Sequence, residues 1–460
     1  MSLINPIARA IACATFMALG VSVVAHADVA RAQVAGTEVD AAELLAAEAG
    51  EAKSAAVCDG VHDTATLQAL LNAGKNTATG VYEPTVVEIP MRPDGCLISA
   101  PLKVYSNTRI VQNGLVKLVG YVAPAPTEQH GMYTIVDGSQ NVTIEGSGTL
   151  DGNRSAYASG MCCMGGIVAG GPEIGDYNAN VKNITIRGLR IVNSPMWPVS
   201  IDNATNVKID SVTADNSVST FQVAHNSTNV SVNNVHISDA DDIGFSFYRG
   251  VANASLTNSV VHDAGGAGIS IYTDAPPGVA AARPSADIAL VGNVVYNAHA
   301  GIDVNGAGLM TSRNVNISSN IVHHNRIAGI SVSPCTNCQI VSNLIHDDGG
   351  ASGNVPGVWV INSPGLTIAS NTIYNEGQGA SVGYGIIVTD FITGAPATSR
   401  LSITGNKIFD DRSTQIMAHA FGGVIPAPAS VTANTLGATI GVRDNFVYAS
   451  GSVVSNINMP

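Results

Sequence analysis

Asn183-Ile184-Thr185-Ile186-Arg187-Gly188-Leu189-Arg190-Ile191-Val192-Asn193-Ser194 holds two short apolar runs, split at a glycine and closed by Asn-Ser. Its apolar residues fall at alternate positions, the period of a strand and not of a helix. Similar text returns about every 23 residues, as NVKIDSVTADNS, NVSVNNVHISDADD, NASLTNSVVHDAGG, DIALVGNVVYNAHA, NVNISSNIVHHNRI, NCQIVSNLIHDDGG and GLTIASNTIYNEGQ, and a period of that order marks a solenoid. Each repeat carries two or three strands with Asn, Asp or Gly at the turns. In NASLTNSVVHDAGGAGISIYTD, alternation points Leu256, Val260, Ile269 and Ile271 inward, and Ser270 and Tyr272 outward. Neither leucine ladders nor blades of about 40 residues are present, which excludes a horseshoe and a propeller. The expected fold is all-β: a single right-handed parallel β-helix, one coil per repeat, with coils about 4.8 Å apart.

The same register sets polar residues in a column, Asp215, Asp239, Asp263, Asn297, His324, Asp347, Asn375 and Asp410. Such residues bond their own backbone in turns, so a turn ladder is the expected role. Ahead of the repeats, CDGVHDTATLQALLNAG from Cys58 places Leu67, Leu70 and Leu71 at helical spacing. A helix there would cap the open first coil. Insertions at 154–180, 274–287, 349–356, 376–384 and 390–399 are expected to wall a groove.

Arg9, an apolar run from Ile11 to Val24, and Ala25-His26-Ala27 read as a signal peptide over 1–27. Residues 28–56, with a short helix over Ala41 to Lys53, read as a linker, and 57–460 as the β-helix domain. An exported chain, extracellular or periplasmic, suits the six remaining cysteines, Cys58, Cys96, Cys162, Cys163, Cys335 and Cys338, whose pairing the sequence does not choose. Cys335-Thr336-Asn337-Cys338 lacks a second such pair to complete a zinc shell, so a local bridge or free thiols is expected. No later stretch is long and apolar enough to predict a membrane span. With 21 basic against 34 acidic residues, a nucleic-acid partner is not expected.

Three stretches carry a family resemblance: Gly146-Ser147-Gly148-Thr149-Leu150-Asp151-Gly152-Asn153, then Asn193-Ser194-Pro195-Met196-Trp197, then Asp241-Asp242. Their order and spacing resemble the polygalacturonase-type glycoside hydrolases, family 28, and the start at Cys58 is similar to that of pectate-lyase-like β-helix proteins. The resemblance implies a GDD pair at Asp241 and Asp242, preceded here by Ala240. The family's NTD aspartate falls on Thr220, its GHG histidine on Ala267, and its RIK pair on Asp303 and Asn305. Only the aspartate pair is kept. Losing the cationic pair that holds a uronate implies a neutral polysaccharide as substrate.

The expected function is hydrolysis of glycosidic bonds. Asp242 is the general acid, and Asp241 or Asp303 activates water; Asp303, two coils from Asp242, would stand roughly 9–10 Å away, near the span of inverting glycosidases. His225, Tyr248, Arg249, Tyr272 and Asn305 are the expected substrate-binding residues, with His299, Arg326 and Trp359 as weaker candidates. No cofactor and no metal ligand is expected. One rival is a polysaccharide lyase or uronate epimerase, using Arg249, Tyr248 or His225, and clustered aspartates that could hold Ca²⁺. The other is a glycan-binding or adhesin solenoid without chemistry.

Overall fold

In the computed structural model the described residues are 52–56, 58–61, 63–75, 79–122, 130–157, 164–170, 180–274, 283–306, 310–349, 355–375, 382–390, 392–410, 419–425, 429–438, 447–448 and 453–458. The expected signal peptide and most of the expected linker lie outside them, as do Cys162 and Cys163. Ala52–Ala55 falls inside the expected linker and overlaps the last two residues of the expected helix, yet it is a strand, paired in parallel with Thr85–Ile89.

Strands of each coil join three parallel sheets. Sheet I includes Gln140–Glu145, Val181–Arg187, Ala204–Asp210 and Thr228–Asn233. Sheet II includes Thr149–Asp151, Arg190–Ser194, Thr213–Ser217 and His236–Ala240. Sheet III runs through Val199–Asp202, Phe221–Ala224, Phe245–Tyr248, Ala267–Thr273, Ala300–Gly306 and Ile330–Ser333. This is the expected parallel β-helix.

The core is the inward half of each alternation. Ile184, Ile186, Ile191, Val199 and Ile201 line one coil, and Val207, Ile209, Ala214, Phe221 and Val223 the next. Leu256, Ile269 and Ile271 are buried as expected, but Val261 takes the inward place expected for Val260. The reason is the corner before it: Ser259 turns inward and donates its hydroxyl to the Thr257 carbonyl at 2.8 Å, which shifts the alternation by one. Thr64–Leu71 is the expected helix; it buries Leu67 and Leu71 over the first coil.

Turns are held by two asparagine ladders. Outside, Asn141, Asn183, Asn206 and Asn229 adopt φ of 56–61°. Each passes an Nδ2–H to the Oδ1 of the residue one coil back, at 2.8–3.0 Å. Inside the coil, Asn293, Asn320, Asn343, Asn371 and Asn406 are buried. There Oδ1 of Asn343 accepts both the backbone N–H and the Nδ2–H of Asn320, at 2.9 and 3.0 Å, and Nδ2 of Asn343 donates to the Ile317 carbonyl. A buried polar column is thereby satisfied without water. Where the chain enters sheet III the coils touch backbone to side chain: a Cβ on Gly268 would sit 2.3 Å from Cγ1 of Val295 and 3.0 Å from the Gly301 carbonyl.

Candidate functional site

Between sheets II and III, one turn position per coil adopts left-handed backbone: Asn193, Asn216, Asp239, Asp263, Asn297, His324 and Asp347, with φ of 52–57°. Short polar side chains tolerate that conformation. Asp239 to Asp347 stand where the sequence puts them, but Asp215 does not. It lies one residue earlier, on the strand, where it accepts from the Ser238 hydroxyl at 2.9 Å and pairs with Arg190 at 3.1 Å.

The pair Asp347-Asp348 is not a copy of Asp241-Asp242. Asp347 occupies the turn column and Asp348 points into the solenoid, where its Oδ1 accepts the backbone N–H and Nδ2–H of Asn325 at 2.9 and 2.8 Å. Burial pushes the Asp348 carboxyl well above its ordinary range. Asp241 and Asp242 instead follow the turn residue Asp239 by two and three positions.

An open groove of about 720 Å³ follows this turn, lined by Asp215, Asp239, Asp241, Asp263, Arg154 and Arg326 among others. Arg154 belongs to a single helical turn, Arg154–Ala156, set one step beyond the strand Thr149–Asp151. Its Nη1 donates to Oδ1 of Asn216 at 2.8 Å, and its Nη2 donates to Oδ2 of Asp241. Asp241 stays 56% exposed on its other side, so a carboxylate oxygen still faces the groove. Asp242 is half-buried beside it. Arg154 went unnoticed in the sequence although it directly follows the Gly148–Asn153 motif, because the 87 residues to Asp241 hide the contact.

Sheet III presents a polar outer face. Ser200, Gln222, Ser246 and Ser270 stand in register on adjacent coils, and all are buried. Two positions further along the strands lie Asp202, Tyr248, Tyr272 and Asn305. Here the five expected substrate-binding residues come together. Tyr248 and Tyr272 stack at 5.3 Å, and the Arg249 guanidinium lies 4.6 Å over the Tyr248 ring. Arg249 is also paired with Asp274, Nη2 to Oδ2 at 2.8 Å. His225 differs from expectation: it is only 2% exposed. Its Nδ1 lies 3.0 Å from Oδ1 of Asp202, and its ring meets Tyr248 edge-on. It therefore packs its ring against Tyr248.

Asp303 continues the Ser246–Ser270 row, beside Ser331. Burial pushes its carboxyl up to about 6, although hydrogen bonds with Ser331 and Asn305 pull the other way. Asp303 is in register with Ser246, four residues beyond Asp242, so a displacement along the chain adds to the two-coil step between them. Thr220, just before its strand, and Ala267, at the start of its own, are both buried.

On the outside of sheet II, His262, Tyr296, His323, His346 and Tyr374 stack ring on ring, 4.7–5.0 Å apart and within 10° of parallel. Burial, together with His346 and His324, lowers His323 to about 4. The signal was in the repeats, as VVH, VVY, IVH, LIH and TIY, but it was masked by the more conspicuous acidic column.

Residues 101–275 match the family model for glycosyl hydrolases family 28, and residues 277–419 that for the right-handed beta helix region. The resemblance read from the motifs holds over that first span, which is similar to glycosyl hydrolases family 28. No curated protein matches it. Among solved structures, the A-module of the Azotobacter vinelandii mannuronan C-5 epimerase AlgE4 superposes with a TM-score of 0.60 at 19% identity, over 77% of this chain and 93% of that one. The A-module of AlgE6 from the same organism gives 0.59 at 19%, over 88% and 97%. A tailspike protein of E. coli bacteriophage HK620, solved with a pentasaccharide, gives 0.58 at 13%, over 92% and 83%. These three share the fold.

Proposed function

We propose, for a chain whose residues 101–275 are of the glycosyl hydrolases family 28 type, that it hydrolyses glycosidic bonds of an uncharged polysaccharide seated between sheets II and III. The observation that carries the reading is the Asp241-Asp242 pair, which lies within the matched segment, with Asp241 held by Arg154 at the open groove. Asp241, exposed at the groove, is the carboxylate placed to take a proton from the attacking water. Asp242 is then the proton donor to the leaving oxygen. The stacked Tyr248 and Tyr272 offer ring edges and hydroxyls to sugars further along the same face, with Asn305 next in register. Asp303 is a further carboxyl of that stretch, in register with Tyr272's neighbour Ser270.

Charge supports a neutral substrate. Arg154 is engaged by Asp241 and Arg249 by Asp274, and Asp215, Asp239 and Asp263 line the groove beside them. A polyuronate would meet mostly like charge at short range. Export is part of the proposal: Cys58–Cys96 and Cys335–Cys338 are bridged, which suits an oxidising compartment.

The test is release of reducing ends and of ultraviolet-absorbing product from neutral and uronic polysaccharides, with Asp242→Asn and Arg154→Met alongside. Reducing ends from a neutral glycan, lost in Asp242→Asn, support the hydrolase. The clustering of Tyr248, Tyr272 and His225 favours a second reading, a uronate lyase or epimerase, for which an absorbance rise or a changed uronate composition is the expected result. Binding without turnover on every polymer would point to a glycan-binding solenoid.

A further inference from the structure

We propose that His324, His346 and Asp347 form a binding site for a divalent transition-metal ion of the zinc class, on the coil at the end of the groove and the coil after it. Each residue offers one ligand atom, and these atoms lie within 4.8 Å of one another. His324 and Asp347 are neighbours in the left-handed turn column, and His346 is the strand residue just before Asp347.

The rings are held in place before any ion arrives. His346 is stacked between His323 at 4.9 Å and Tyr374 at 5.0 Å, which fixes its plane and leaves only its edge for bonding. That edge faces the carboxylate: Nδ1 of His346 is 2.9 Å from Oδ2 of Asp347. His324 is held from the side by His323, whose Nδ1 lies 2.8 Å from its own. Two ligand atoms on a tetrahedral zinc, each about 2.1 Å from the ion, stand roughly 3.4 Å apart, so closure around the ion needs shifts on the order of 1 Å. His324 is exposed and can make that shift. Two imidazole nitrogens and one carboxylate oxygen suit zinc, nickel or cobalt and not calcium or magnesium, which take oxygen ligands. Three protein ligands also leave an open position on the ion. Among the described residues the other grouping of this kind, Cys58, Asp63 and Cys96, has its two sulfurs joined in a disulfide.

The experiment is calorimetric titration of the full chain, stripped with chelator, with zinc chloride and then calcium chloride. The variants are His324→Ala, Asp347→Asn and, as a control, His236→Ala, which removes the partner of His262 on an earlier coil. Circular dichroism confirms that each variant is folded; His324 is exposed, so its loss leaves the core untouched. One equivalent of zinc is expected to bind the parent chain and His236→Ala, with affinity reduced more than about tenfold in His324→Ala and Asp347→Asn, and no heat from calcium. Absence of stoichiometric zinc binding, equal binding by His324→Ala, or loss in His236→Ala overturns the site.

Discussion

Replacing Asp303 with asparagine should make the protein more stable at neutral pH and leave it unchanged in acid. The carboxyl sits at about 6 in the folded chain against an ordinary 3.8, a gap of about 2 units. Because the folded value is the higher, the folded chain holds the proton that the unfolded chain releases between these two values. Stability therefore falls as pH rises from about 4 to about 6, and the whole penalty is present above 6. At 1.36 kcal/mol per unit the ceiling is about 3 kcal/mol. Asp303 is only partly shielded from solvent, so about 1–2 kcal/mol is the working figure. The asparagine amide would keep an acceptor oxygen for Ser331 without ionising. The assay is urea unfolding of parent and variant over a series of pH values, read as the difference between them. That difference should be near zero below pH 4, grow through 5, and level off above 6. A difference that stays flat with pH would refute the account, because it would mean that the polar face of sheet III solvates the charge as well as water does.

Asn343→Ala should cost about 3–5 kcal/mol in the same assay, since it strips the acceptor from two buried donors of Asn320. Asn206→Gly keeps the left-handed turn and loses only exposed bonds, so about 1 kcal/mol is expected. Gly268→Ala should lower the melting temperature through a loss of about 1–3 kcal/mol, because its Cβ meets the Gly301 carbonyl, which belongs to the backbone of the next coil. Reducing Cys58–Cys96, which spans 38 residues, should cost about 4 kcal/mol and open the capping helix to limited proteolysis, whereas the three-residue spacing of Cys335–Cys338 makes that bridge worth far less.

The fold was legible because a solenoid repeats its instructions. The alternation of Ile184 and Ile186, or of Ile269 and Ile271, fixes the strands, and its return fixes the stacking. Errors came at the corners. Ser259 turning inward moved Val260 off the core, and Asn216 displaced Asp215 from the turn column, because a corner consumes residues without showing a period. The site was legible as a set of residues and not as a geometry. His225, Tyr248, Arg249 and Tyr272 do converge, since register alone places them on neighbouring coils. Counting coils between Asp242 and Asp303 leaves out the displacement along the chain from Asp242 to Ser246, the residue in register with Asp303. Arg154 was missed because no periodic rule links a turn after one strand to an aspartate three coils away.

The turn between sheets II and III explains why chemistry collects there. Its conformation requires a short polar residue at every coil, and asparagine, aspartate and histidine all satisfy it. Exchanging Asn216 or Asn297 for Asp239, Asp263 or His324 therefore adds a charge or a ligand nitrogen without new backbone strain. One column can pass from a neutral ladder at Asn193 and Asn216, through the carboxylates at the groove, to the imidazole and carboxylate at His324 and Asp347. Substitution within one structural position varies the groove, which is why residues that hold the turn, Asn216, Asp239 and Asp263 among them, also line it.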